Sequence, residues 1–196
     1  MKQSLKKSAI SGIAGEILYF ISMTLFLITQ SGIALTFWET MTVVGAIIML
    51  IVLAVIADEY KIQPLLQRFM LISLSGTVFL TTVAHFTSIG VIRKLESQGV
   101  AVPDYFKIGT SPSIEMTMDY IAWGMFMGLA FFALFLGVKH KAIRIFSLIC
   151  SILCLIGFIG SFISDSLWYA APFGYGIGFL IMCVYILRSK KAPKTQ

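Results

Sequence analysis

Six separate runs of mainly apolar residues, each about twenty long, dominate this chain: about 9–30, 37–57, 65–90, 114–138, 142–164 and 169–187. A helix rising 1.5 Å per residue needs roughly 20 such residues to cross the ~30 Å hydrocarbon layer of a bilayer. Lipid offers a backbone amide or carbonyl no hydrogen bond, so a spanning segment is either a helix or part of a closed barrel. The barrel signature, alternation of apolar and polar residues over roughly ten-residue segments, is absent. The predicted fold is therefore all-α, a polytopic transmembrane helical bundle of six spans that makes one membrane domain of residues 1–196. Composition weighs against a soluble alternative. Of the 196 residues, 58% are hydrophobic and 12% charged, against about 45–50% and about 25% in soluble domains. A domain this small lacks the interior to hide the excess.

The first run is read as a retained span, because it exceeds the roughly 7–15 apolar residues of a cleaved leader and carries Glu16. The breaks between runs carry turn chemistry: Ser31-Gly32 after the first, Asp58 to Lys61 after the second, and Pro64 suited to the first turn of the third. Ser111-Pro112-Ser113 reads as an N-cap and N1 proline opening the fourth, with Glu115 in its first turn complementing the helix dipole. Pro172 is expected to play a similar part near the start of the sixth. The one long connection, about 91–113, is expected to continue the third helix from Ile92 to Gln98 until Gly99 stops it. Val100 to Ile108 then read as an apolar, aromatic-bearing loop and a candidate lid over the helix mouths.

Orientation follows from the fifteen Lys and Arg residues. Lys2, Lys6, Lys7, Lys61, Arg68, Lys139, Lys141, Arg144, Arg188, Lys190, Lys191 and Lys194 fall on one side, and only Arg93, Lys94 and Lys107 on the other. Cytoplasmic segments carry the excess, so both termini are expected in the cytoplasm and the long connection outside. Short loops make a bacterial inner membrane the expected plasma membrane. The net charge of +6 lies in segments between apolar runs and not on one folded face, which argues against nucleic acid as a partner. Cys150, Cys154 and Cys183 sit inside runs and read as free, packed thiols. Gly12 and Gly15, Gly124 and Gly128, Gly157 and Ser161, and Gly174 and Gly178 form small-residue strips for close helix approach within the bundle.

Ionisable residues within spans are costly and therefore informative. Glu16 lies about half-way along the first span, on one face with Gly12, Tyr19, Met23 and Gln30, and should point into the bundle as a proton or ligand site or an interhelical hydrogen-bonding group. Thr77, Thr81, His85 and Ser88 form a polar stripe climbing the third span. Glu115 and Asp119 lie four apart in the fourth, Ser161 and Asp165 four apart at the end of the fifth, and Trp38, Trp123, Trp168, Tyr120 and Tyr169 lie at similar depth. His85, Glu115, Asp119 and Asp165, with Thr81, Trp123 and Trp168, are the candidate residues of an outward-facing, ligand-binding pocket. The aromatics also fit an interfacial belt, and the acids also fit headgroups or water. With only His85 and His140 in the chain, and His140 read as a solvated loop residue between Lys139 and Lys141, no metal or other cofactor is expected.

Zinc-helix, nucleophile-elbow and phosphate-loop motifs are absent, as are a lysine within the six runs and an arginine-rich run. Three classes of function remain. The leading expectation is a protein binding or transporting a small molecule, ion or amphiphile through the polar pocket. The alternatives are an accessory membrane subunit whose polar residues hold helices together, and an intramembrane enzyme using His85, Asp119 or Asp165 on a lipid-like substrate. Expected partners are membrane lipids, a small ligand, and a further copy of the chain or a larger membrane complex.

Overall fold

The computed structural model describes residues 3–189 of the chain. It is all-helical, with no strand among those residues. Six helices are long and apolar enough to cross a membrane: α1 Gln3–Thr29, α2 Gly32–Glu59, α3 Pro64–Ser97, α4 Ile114–Gly137, α5 Lys141–Ser161 and α6 Ser166–Arg188. Lys2, Lys190, Lys191 and Lys194, counted above for orientation, lie outside the described residues.

Each helix packs on its sequence neighbour, and α6 returns to α1, so the six close into a ring. The arrangement is antiparallel. A side chain added at Gly12 would meet Cys183 and Phe179, whereas Gly176, earlier on α6, faces Phe20 and Glu16 further along α1. Residues 3 and 189 therefore lie at one end of the bundle and the 98–113 connection at the other; these are called the terminal end and the loop end below.

The outside of the ring is apolar. On α5, Ile145, Ile149, Ile152, Ile156 and Ile159 recur every three or four residues and are 46–60% exposed, while Cys150, Ser151, Cys154, Gly157 and Gly160 on the opposite face are buried. Similar apolar exposure runs along α1 from Ile10 to Ile28. A soluble monomer seldom presents so large an apolar surface.

The glycine strips pack within the bundle. A Cβ at Gly157 would stand 2.6 Å from that of Ala171, one at Gly174 2.7 Å from the Cys150 carbonyl oxygen, and one at Gly128 2.9 Å from Leu155. Lost backbone entropy at these glycines is offset by the closer contact of α4, α5 and α6.

The ends match local chemistry. Gln30, in the left-handed region at φ 50°, reverses the chain after α1, and the Ser31 hydroxyl accepts the Ala34 amide at 3.2 Å to cap α2. Pro64 occupies the first turn of α3. That helix runs on through Ile92 to Ser97, and Gly99 (φ 76°) ends it, as the sequence predicts. At α4 the cap is Ser113, whose hydroxyl accepts the Met116 amide, so Pro112 precedes the cap instead of filling N1. Pro172 lies within α6, behind the tight turn Asp165–Tyr169 that opens it. His140 is half-buried against the Tyr60 and Tyr185 rings, at 5.6 and 6.0 Å, and is not a solvated loop residue. Burial, and secondly Tyr185, push the neighbouring Tyr60 phenol above its ordinary value.

The two halves of the ring are filled differently. Towards the terminal end the core is apolar, with Met49, Leu53, Ile56, Met70, Leu74, Phe131, Leu134 and Met182 at 2% exposure or less. Towards the loop end the interior is polar and aromatic, and that is where the candidate site lies.

Candidate functional site

Three of the six helices depart from α geometry in the loop half. Wide π turns occupy Ser88–Ile92 of α3, Tyr120–Phe126 of α4 and Phe173–Gly178 of α6. A π turn inserts one extra residue, frees a backbone carbonyl and re-aims the side chains beyond it. In α4 a carbonyl of this segment serves a neighbour: the Thr77 hydroxyl of α3 donates to the Ala122 oxygen at 3.0 Å. In α3 the turn changes which residues share a face. Eight residues at 3.6 per turn would leave Arg93 roughly 80° round the helix from His85. One inserted residue cancels most of that rotation, and Arg93 comes to the same side as His85.

The α3 turn completes a largely buried charged cluster between α2, α3 and α4. His85 is 4% exposed, with Nε2 3.4 Å from Asp119 Oδ2 on α4 and Nδ1 3.9 Å from Glu39 Oε1 on α2. Glu39, 1% exposed, forms an ion pair with Arg93, whose guanidinium also donates to the Thr36 hydroxyl and, at 3.3 Å, to the Gly32 carbonyl. Gly32, Thr36 and Glu39 lie four and three apart on one face of α2, so Arg93 lies along that face. Glu115, one turn above Asp119 on α4 and 2% exposed, is within electrostatic reach of His85, Asp119 and Arg93.

The cluster is under-satisfied. Asp119 Oδ1, Thr81 Oγ1 and the Trp123 indole nitrogen are buried without a hydrogen-bond partner, the His85 ring nitrogens meet only carboxylates at 3.4 and 3.9 Å, and the Glu115 carboxyl has only the backbone at Ile108. Native interiors leave few such groups, and each demands an explanation. No three His, Cys, Asp or Glu side chains among the described residues are grouped to hold a metal ion.

The predicted site residues thus divide. Thr81, His85, Glu115 and Asp119 gather on α3 and α4. Trp123 lines their lower edge, its ring tilted on Tyr175 of α6 at 4.6 Å. Trp168 packs on Tyr120 at 4.6 Å and over Gly124, where it joins α4 to α6. The side chain of Asp165 lies outside the described residues. Glu16 points inward, 5% exposed, into a small chamber below the cluster. Glu39 and Arg93 are the two members that sequence reading missed. Glu39 stood at the start of an apolar run beside Trp38, and an acid within a span was its only signal. Arg93 was counted as a loop charge because nothing in the sequence marks the π turn.

The connection above the cluster is held by its own bonds. Lys107 Nζ lies 3.1 Å from both Glu96 and Asp104, and these carboxylates hold its ammonium above the ordinary lysine value. The Thr110 and Ser113 hydroxyls donate to the Lys107 carbonyl. Tyr105 and Phe106 remain substantially exposed, and an open depression of about 310 Å³ separates Tyr105 from the first turns of α4. No family model, curated protein or solved structure matches this chain.

Proposed function

We propose that the protein is a multi-pass transporter or binding protein for a small cation or proton, taken at the loop end by His85, Glu115 and Asp119. One observation carries this reading: three carboxyls in the bundle interior, Glu39 and Glu115 buried and Asp119 with its side chain 13% exposed, share one guanidinium and one imidazole. Arg93 answers Glu39. Even with His85 protonated, one carboxyl is left without a cationic partner. A lone carboxylate away from water is too costly to persist, so the site holds a proton or draws a cation. The orphaned donors and acceptors around it supply hydrogen bonds to what enters. Helix-to-helix glue would leave these groups satisfied.

In this reading both termini are cytoplasmic, as the basic residues predict. The loop end opens outside the plasma membrane, a bacterial inner membrane. Ligand competition with a bound proton supplies the test. Purified protein in weakly buffered detergent is titrated with ammonium, methylammonium and tetramethylammonium chlorides while a pH dye counts released protons. The parent should release protons to at least one of these cations, and Asp119→Asn and His85→Ala should release none. Equal release from parent and variants, or none from the parent, refutes the assignment. Reporter tags on the two ends check the orientation, and an external signal from either refutes it.

A further inference from the structure

Glu16 takes no part in the cluster, yet it is the deepest acid in the ring and faces a space of its own. A chamber of about 10 Å³ is lined by Glu16 and Tyr19 of α1, Thr42, Gly45 and Met49 of α2, Trp123 of α4 and Tyr175 of α6. That is room for about one water molecule and too little for an organic ligand. Glu16 has no hydrogen-bond or ion-pair partner among the described residues. The ionisable groups in reach of its carboxyl are Tyr19 on its own helix and Tyr175 and Cys183 of α6. The parts of α2 and α4 that line the chamber present none. Tyr19 and Tyr175 each interact electrostatically with Glu16 and also with Asp119. The Tyr19 hydroxyl lies beside Trp38 and Tyr175. Asp119 in turn spends Oδ2 on His85 and leaves Oδ1 buried and unpartnered. Two phenol hydroxyls therefore stand between the loop-end cluster and a mid-bundle acid.

We propose that Glu16 is a proton-binding site loaded from Asp119 through a tyrosine hydroxyl and one chamber water. Protonated Asp119 gives its proton to the Tyr19 or Tyr175 oxygen as that phenol passes its own proton to the water, and the water passes one to the Glu16 carboxylate. One proton moves, the phenol and water end unchanged, and no charge is left on either. The relay rests on the loop-end cluster exchanging protons, and it extends that cluster's reach to the middle of the bundle.

Infrared spectroscopy of the protein in phosphatidylcholine vesicles reads Glu16 directly. A protonated-carboxyl band absent from Glu16→Gln identifies the residue, and its shift on transfer to heavy water gives the exchange rate. Replacing both hydroxyls, Tyr19→Phe with Tyr175→Phe, should slow that exchange about a hundredfold, the size of one positioned proton carrier. Asp119→Asn should slow it comparably. If the paired phenylalanine variant keeps the parent's melting temperature and the parent's exchange rate, the relay is wrong. It is equally wrong if no Glu16 carboxyl band exists. Because the readout is the Glu16 carboxyl, either failure leaves the cation-release result for the cluster standing.

Discussion

Removing the Arg93 guanidinium tests the cluster at its most heavily loaded contact. In Arg93→Ala the Glu39 carboxyl, 1% exposed, loses its ion-pair partner, and the nearest remaining basic side chain is His85, with Nδ1 3.9 Å from Oε1. The Gly32 carbonyl and Thr36 hydroxyl lose a donor as well. Truncating one member of a buried pair typically costs about 3–5 kcal/mol, mostly because the other charge is stranded. For a chain of this size each kcal/mol lowers the melting temperature by roughly 2–4 °C, so a fall of roughly 6–20 °C is expected. The double variant Glu39→Gln, Arg93→Met removes both charges and should recover most of the loss, since apolar or neutral replacement of a whole buried pair is often neutral. Arg93→Lys keeps the charge but loses the planar fork that serves Glu39, Thr36 and Gly32 together, and should fall between. Thermal unfolding in detergent, followed by tryptophan emission from the adjacent Trp38, provides the readout. A single-variant loss within about 1 kcal/mol, the range of exposed surface pairs, would show that Glu39 and Arg93 are not a desolvated pair. A double variant no better than the single would show that the two are not coupled.

Thr77→Val removes the α3-to-α4 bond onto the Ala122 carbonyl and should cost about 0.6–1.7 kcal/mol in a thermal melt, the range for interhelical bonds in membranes. Gly157→Leu drives carbon into the Ala171 Cβ and backbone nitrogen, 2.6 and 2.7 Å from a Cβ at that position, and should cost about 1–3 kcal/mol or more. Gly90→Ala, with open space around its Cβ, should be nearly neutral in the same melt. Lys107→Met should loosen the connection without disturbing the bundle, visible as faster proteolysis between residues 98 and 113 at an unchanged melting temperature. The Lys107 value is raised in the folded chain, so its contribution is complete below the ordinary lysine value and disappears only as pH rises beyond the raised one. The parent's resistance to that proteolysis should therefore hold through neutral pH and fail in strong alkali.

How much of this could be read from the sequence differs between the frame and the site. Helix existence rests on apolar length, and all six runs became helices, with the third running to Ser97 and stopped at Gly99 as its turn chemistry predicts. Glu16 faces inward because an acid in a 22%-buried helix has one face free of lipid, and period 3.6 identifies it. Pro112 misled because proline suits both N1 and the residue before a cap. Ser113 took the cap, having an amide three residues on at the right place. His140 looked solvated between two lysines, yet Tyr60 and Tyr185 come from different helix ends, and only the fold brings them together. The charged cluster was half legible for the same reason. His85, Glu115 and Asp119 share helical periods that a sequence displays. The α3 π turn that carries Arg93 to Glu39 has no local residue signature.

The position of that turn bears on what the cluster does. A π insertion costs α3 part of its regular hydrogen bonding, and α4 and α6 each accept one as well. Had the loop half served only to fasten helices, regular turns with leucine and glycine would have closed it as they close the terminal half, where Leu53, Leu74 and Leu134 are fully buried. Instead the chain places acids on α2 and α4 and an imidazole and guanidinium on α3, uses one wide turn to align them, and leaves several oxygens and nitrogens without partners. Stability alone favours none of these choices, because well-packed apolar residues usually serve a buried site as well as or better than charges do. Groups kept in place against that preference, with an excess of carboxyls over cations, are what the proposed exchange of a proton or cation requires.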